Sequence, residues 1–455
     1  MYSKYTEKIK SIIDVPWMIF LVIGFVFGSI FLFLTPPLEV PDEDAHLLRA
    51  CEVASGIFYN KTPTKETKYD KLFQYIYIRE NNDLKNINPK YTLKRDPKNF
   101  HYGSRNSAVM YIPSSIGIKI SSLFSSDKNF IFYTGRFLNL IVYLFLCVIA
   151  IKITPVFKYQ FMFTALLPMA LFEGMSYSAD SFNNGFAFLF FAFLFKLIYG
   201  KKEISPKNFS ILAIMCGIGA LCKGLIYPLC LFFTLPEFSK KFKLKRWIYI
   251  LALIILTLIL CKVWISINYK NLNYRHEIIN DSLYFVKYPF IVAKKIIVTT
   301  YTNLWKYTTE FIGVLGWLNI FLYKSVYITA ISVYSSMFIF LKEKITKSQR
   351  LFAFLGLITF YSLIQYTQLI YWSNPNLEII EGFQGRYIIP LTPLLFVAFT
   401  NSQWNFNEKF IKLYKLLLIM FITCLLIQSC YTLDLFYNEH NLNRFLIEDL
   451  KKYLI

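Results

Sequence analysis

Apolar residues are gathered in runs of membrane-crossing length, separated by short polar stretches rich in lysine. The first run, Trp17 to Leu34, follows Lys4, Lys8 and Lys10 and ends in Thr35-Pro36-Pro37 with no small-residue cleavage site. It therefore reads as a retained anchor rather than a signal peptide. Further runs lie at roughly 130–151, 159–176, 181–199, 208–222, 224–236, 247–267, 319–341, 351–372, 387–400 and 410–431, which gives about eleven crossings in an all-α polytopic bundle. Several runs are short, so the pattern admits ten to thirteen.

Basic residues fall on alternate loops: Lys152 and Lys158, then Lys201, Lys202 and Lys207, then Lys240 to Arg246, then Lys342 to Arg350, then Lys409 and Lys412. The positive-inside bias places these loops and the N-terminus in the cytoplasm. The chain then divides into an N-terminal tail with the first helix (1–35), a long extracytoplasmic loop (36–128), a first bundle (129–267), a second extracytoplasmic loop (268–318), a second bundle (319–432) and an extracytoplasmic tail (433–455). Within the first loop, the apolar segment from Ile112 to Phe124 either dips into the membrane or lies on it. In the second, Asp281 to Tyr307 alternates apolar and basic residues at helical spacing and reads as an interfacial helix.

Composition agrees and removes other classes. Hydrophobic residues make up 56% and charged residues 17%, against about 25% charged in soluble domains. A net charge of +21 would suit a nucleic-acid binder only if it lay on a soluble face. Here most of the length is lipid-embedded, and topology and phosphorylated lipids account for the excess. Of the eight cysteines only Cys51 sits in an evident polar loop, so no disulfide framework is expected. The four histidines are scattered and C-x-x-C is absent, so no zinc spacing is visible; P-loop and dinucleotide fingerprints are absent too.

Three clusters carry possible chemistry. In Pro41-Asp42-Glu43-Asp44-Ala45-His46-Leu47-Leu48-Arg49, Asp42 can cap a helix whose one face carries Asp42, His46 and Arg49. The acidic run is either a favourable helix start or a general base at the outer mouth of the bundle. A second acid, Asp180, stands at the outer end of the fourth span, with Glu173 as its competitor. The third cluster, Glu381-Gly382-Phe383-Gln384-Gly385-Arg386-Tyr387, sets two glycines that allow close backbone approach around Gln384 and follows them with the planar guanidinium of Arg386. Arg386 either binds a phosphate or anchors the interface. Lys223 and Arg136 are further cations at membrane depth, each needing an anionic partner.

The chain resembles the GT-C group of integral-membrane glycosyltransferases. That resemblance rests on a first span followed by a long outer loop with an acidic motif at its start. A closer resemblance, to a bacterial branch of the group, is carried by Pro36-Pro37, Pro41-Asp42-Glu43 with His46, Gly135-Arg136, Ser178-Ala179-Asp180, Gly313 with Leu315-Gly316-Trp317-Leu318, and Gln384-Gly385-Arg386-Tyr387 with Pro390, in order along residues 36–393. It is similar in size and topology to O-antigen-modifying glucosyltransferases of enteric bacteria and phages. The resemblance implies a GT-C-like bundle in the bacterial inner membrane with its site facing the periplasm. It implies transfer of a sugar from a polyprenyl-phosphate donor to a cell-envelope polysaccharide, with inversion. It points to Asp42 or Glu43 as the base and Asp180 as an assisting acid. Arg386, Lys223 and Arg136 would face the donor phosphate, and His46, Arg49, Gln384, Tyr387 and Trp317 the donor or acceptor. No cofactor beyond the lipid-linked donor is implied, and a divalent metal is left open. Asp44 and Asn319 depart from the pattern, which expects a small residue or proline and an acid there. A lipid-linked polysaccharide transporter and an O-antigen polymerase or ligase are the alternatives; no internal repeat of the transporter kind is visible.

Overall fold

A computed structural model describes residues 15–58, 106–200, 205–222, 287–374 and 376–439, with short stretches within 69–76 and 251–263. The described residues are helical, joined by turns, with one isolated bridge between Leu315 and Ile320. Most of the Lys61–Lys98 stretch, Lys223, and the runs at 224–236 and much of 247–267 lie outside them.

Helix α1 (Pro16–Leu34) is followed by α2 (Glu43–Ala54), a 3-10 turn (Ala108–Tyr111) and α3 (Ile112–Phe124). Then come α4 (Lys128–Ile153), α5 (Lys158–Ala165), α6 (Pro168–Gly174), α7 (Ala179–Tyr199) and α8 (Pro206–Cys222). The second half holds α9 (Pro289–Gly313), α10 (Lys324–Phe340), α11 (Lys347–Tyr371), a 3-10 turn (Gly385–Leu391), α12 (Thr392–Phe399) and α13 (Glu408–Glu439). Of these α1, α4, α7, α11 and α13 are long and apolar enough to cross a membrane. The protein is an all-α polytopic membrane protein.

Local sequence explains where the helices begin. Proline occupies the first turn of α1, α3, α6 and α9, where its missing N–H costs nothing. Asp127 caps α4 by accepting from the N–H groups of Asn129 and Phe130, and Thr346 and Gln349 close a capping box on α11.

Two expected spans are broken. The run at 159–176 splits into α5 and α6 because Pro168 drives Leu167 into extended backbone. The run at 387–400 opens as a 3-10 turn containing Pro390 before α12 begins. The helix expected over Asp281–Tyr307 instead runs on to Gly313, which carries Glu310 inward.

The helices pass back and forth between two ends. At one end the loops at 154–158, 341–347 and 400–407 are tied together, with Phe157 N–H donating to Glu343 (3.0 Å), Arg350 to Ser402 (2.8 Å) and Lys342 to Asn405 (2.6 Å). The described basic loops, with Lys158, Lys342, Lys344, Lys347 and Lys409, gather there. At the other end stand the close of α1, the start of α7 and the Gly385 turn. Between them a phenylalanine-rich core surrounds α7, whose Phe188, Phe190, Phe191 and Phe195 are buried. A second, smaller core made of Leu47, Cys51, Tyr111, Ile118, Phe132 and Tyr177 seats α2 and α3 on the first turns of α4. Cys51, which the sequence places in a polar loop, is buried in it.

Candidate functional site

The end of the bundle opposite the basic loops holds two buried arginines with different partners. Arg136, on α4, is wholly buried and grips Glu43 through two atoms: Nε to Oε1 at 2.8 Å and Nη2 to Oε2 at 2.5 Å. Its remaining N–H groups reach the carbonyls of Thr35 (2.6 Å) and Pro36 (2.9 Å), just beyond the last turn of α1. Glu43 also accepts from the N–H groups of Leu38 and Tyr177. The four acceptor sites of Glu43 are thus filled and four of the five N–H groups of Arg136 are bonded, as buried charges require. This clamp joins the end of α1, the start of α2, α4 and the turn before α7. Arg136, expected to face a donor phosphate, is closed on Glu43, and Glu43 has no lone pair left for a substrate.

Arg386 is the second. The Gly385 turn is pressed against α9, where Gly385 N–H donates to Glu310 at 2.6 Å and a Cβ on Gly385 would stand 1.9 Å from the Tyr307 carbonyl oxygen. Only glycine fits there. From this seat Arg386 donates through Nη1 to Glu173 on α6 and through Nε to Gln384 at 2.5 Å, while Nη2 lies 3.5 Å from Asp42. The Tyr387 ring stacks beside the guanidinium, 5.5 Å from its centre. The other oxygen of Glu173 is buried with no hydrogen-bond partner among the described residues.

Asp42 differs from its neighbours. Its side chain is 58% exposed and its backbone is left-handed, with φ of 60°. Asp is one of the few side chains that adopts this conformation. The sequence suggests a helix cap, yet no cap bond forms; the carboxylate turns outward to Arg386 instead. Strain is concentrated around it: Leu38 and Leu318 also have positive φ. Trp317 Nε1 donates to the Leu38 carbonyl at 2.8 Å and so ties the turn after α9 to the segment after α1.

The shared helix face expected for Asp42, His46 and Arg49 does not act as one site. His46 Nδ1 meets the Tyr111 hydroxyl at 2.7 Å. Arg49 is wholly buried, paired with Glu52 at 2.7 Å and bonded to the carbonyls of Asn106, Ile57 and Phe58. It folds the loop rather than lining the mouth. Asp180 sits in the first turn of α7, close enough for its charge to act on Arg386 and Glu173. No group of three or more potential ligands is arranged to hold a metal among the described residues.

A family model described as a predicted membrane protein, DUF2142, matches residues 25–395. The chain belongs to the DUF2142 family. No curated protein and no solved structure matches it. The matched residues include Asp42, Glu43, Arg136, Glu173, Glu310 and Arg386.

Two participants, Glu310 and Glu39, are not visible as site residues in the sequence, and a third, Glu173, is offered there only as the alternative to Asp180. Glu173, the competitor to Asp180, makes the direct contact with Arg386. Glu310 supports the Gly385 turn from 75 residues away. Glu39, in the acidic motif itself, is buried against Tyr437 at the end of α13, 3.5 Å between oxygens. Burial, reinforced by the neighbouring Glu43 charge, pushes the Glu39 carboxyl up to about 7, against the opposing effect of Tyr437 and Arg136.

Proposed function

We propose that the protein is a glycosyltransferase that moves a sugar from a polyprenyl-phosphate donor to a cell-envelope polysaccharide, with Asp42 as the general base. The observation that carries this reading is the outward Asp42 carboxylate, held in a strained backbone against a buried arginine while its neighbour Glu43 is consumed by Arg136. The positive-inside pattern, with the basic loops gathered at the far end, supports an inner-membrane protein whose site opens on the periplasmic face.

In this reading Asp42 takes the proton of an acceptor hydroxyl. The oxygen forms a bond to the anomeric carbon as the bond from that carbon to the phosphate oxygen breaks, and the lipid phosphate leaves with the electron pair. Attack from the opposite face inverts the centre. Arg386 faces the departing phosphate; its contact to Asp42, the longest of its three polar contacts, is the one a phosphate oxygen displaces. Binding of the donor thereby releases the base. A preorganised cation of this kind contributes several kcal/mol to the transition state. Gln384 and Glu173 hold Arg386 in place, and Asp180 and Trp317 line the approach.

Two discontinuous segments, α5–α6 and the Gly385 turn with α12, meet at Arg386 and Glu173. Broken helices at a buried charge also suit a lipid-linked polysaccharide transporter. The deciding experiment supplies purified protein with a radiolabelled short-chain polyprenyl-phosphate sugar and candidate envelope glycans, wild type beside Asp42→Asn. Transfer by the wild type that is lost in the variant supports the transferase. Donor that binds and is never turned over supports the transporter.

A further inference from the structure

The outward face of α3 is apolar apart from the exposed Lys119, whose alkyl stem can lie along the stripe while its ammonium reaches toward the headgroups. Its inward face is small and largely polar, with Ile118 set into the second core. Ile112, Ile116, Ile120 and Leu123 follow one another at helical spacing and are between 42% and 76% exposed. On the other side Ser114 and Ser115 donate to the Tyr111 carbonyl, Ser115 also reaches the Ala50 carbonyl, and Ser121 bonds back to Gly117. A helix facing water has the reverse arrangement.

The neighbouring helix shows what covers this face. On α4, a membrane span, Phe130, Phe137 and Phe145 form an exposed row that also contains Thr134. Gly117 of α3 lies against the Thr134 carbonyl and the Gly135 backbone, so α3 is packed along the edge of that row. The apolar stripe of α3 continues the membrane-facing surface of α4.

Depth follows from the register. Gly24 stands against Leu144 and Gly28 against Leu140, so α1 and α4 are antiparallel and the end of α1 falls near Thr134. Gly117 is at the same level. The last two turns of α3 therefore rise about 10 Å above the end of α1. At that height a cavity of about 380 Å³ is lined by Leu123 and Phe124, then by Ser125, Ser126 and Lys128. The passage from apolar to hydroxyl and ammonium groups matches the passage from acyl chains to phosphate headgroups.

We propose that α3 is a re-entrant helix seated among the acyl chains of the leaflet on the site side, with Ser126 and Lys128 at headgroup level. At 13 residues, about 20 Å, it is too short to cross. Through Ser115 to Ala50 and Tyr111 to His46 it carries α2, so the lipid seat sets the height of Asp42 above the membrane. The inference stands whether or not the protein transfers sugars.

The test uses the full-length protein in phosphatidylcholine nanodiscs containing a phosphatidylcholine with a diazirine in mid-chain. After photolysis and peptide mapping, the carbene label is expected on Ile116 and Ile120 alongside Phe137, and not on α2. In parallel, Ile116→Cys is expected to react with a charged maleimide at least tenfold more slowly than Ser126→Cys, with the unmodified chain as background. Labelling of α4 without α3, together with equal reactivity of the two cysteines, overturns the proposal and leaves the stripe to a polypeptide partner. The photolabel needs no variant, so a misfolded cysteine variant does not blur the result.

Discussion

Removing Arg136 and Glu43, singly and together, is the sharpest test of the clamp. Arg136→Met deletes four hydrogen bonds at once, two to Glu43 and two to the carbonyls at the end of α1, and leaves a buried carboxylate supported only by the N–H groups of Leu38 and Tyr177. Breaking a buried pair from one side costs about 3–5 kcal/mol. Glu43→Leu alone leaves a buried guanidinium and falls in the same range. The double variant removes both clamp charges but orphans four backbone groups, the carbonyls of Thr35 and Pro36 and the N–H groups of Leu38 and Tyr177, and its loss is expected to stay well below the sum of the two single losses. Unfolding in mixed micelles titrated with sodium dodecyl sulfate measures all four proteins. The expected coupling exceeds about 2 kcal/mol; a value under about 0.5 kcal/mol, the level at which independent sites add, refutes the clamp. Sugar transfer by the double variant, once folded, removes Glu43 from the list of bases.

The left-handed backbone at Asp42 makes a pair of substitutions informative. Asp42→Asn keeps a residue that tolerates that conformation and is expected to leave unfolding within about 0.5 kcal/mol of wild type while transfer falls by at least 100-fold, whereas Asp42→Ala adds a stability loss of about 1 kcal/mol from strain. Gly385→Ala is expected to cost about 1–3 kcal/mol, read by the same unfolding titration, because its methyl must displace the Tyr307 carbonyl or swing Arg386 out of reach of Glu173. The Glu39 carboxyl titrates near 7 in the fold against 4.5 ordinarily, so its neutral form is the one the fold favours. Its contribution is complete below about pH 4.5 and is lost as pH rises to about 7, a change on the order of 3 kcal/mol. Thermal unfolding measured from pH 4.5 to 8 is expected to show this decline, and Glu39→Gln to flatten it.

Much of the architecture was legible in the hydropathy runs, because an unbroken apolar span declares itself through length and composition. What hydropathy could not show was interruption: α5 and α6 are apolar on both sides of Pro168, and only the backbone around Leu167 reveals the break. The acidic motif and the Gln384–Tyr387 motif were legible as chemistry. The division of labour between Asp42 and Glu43 was not, since adjacent carboxylates look alike until one is buried against Arg136, 93 residues away. The Arg386 partner was hidden for the same reason. Glu173 lies 213 residues earlier and has no local signal distinguishing it from Asp180.

The contact between Glu39 and Tyr437 also bears on how the protein is made. The two residues are 398 positions apart, and at translation rates of about 5–20 residues per second the acidic loop waits roughly 20–80 s for its partner. During that interval Glu39 has no hydroxyl to meet, and the mouth of the bundle lacks one wall. Completion of this contact, and of the wall it closes, is thus tied to insertion of α13.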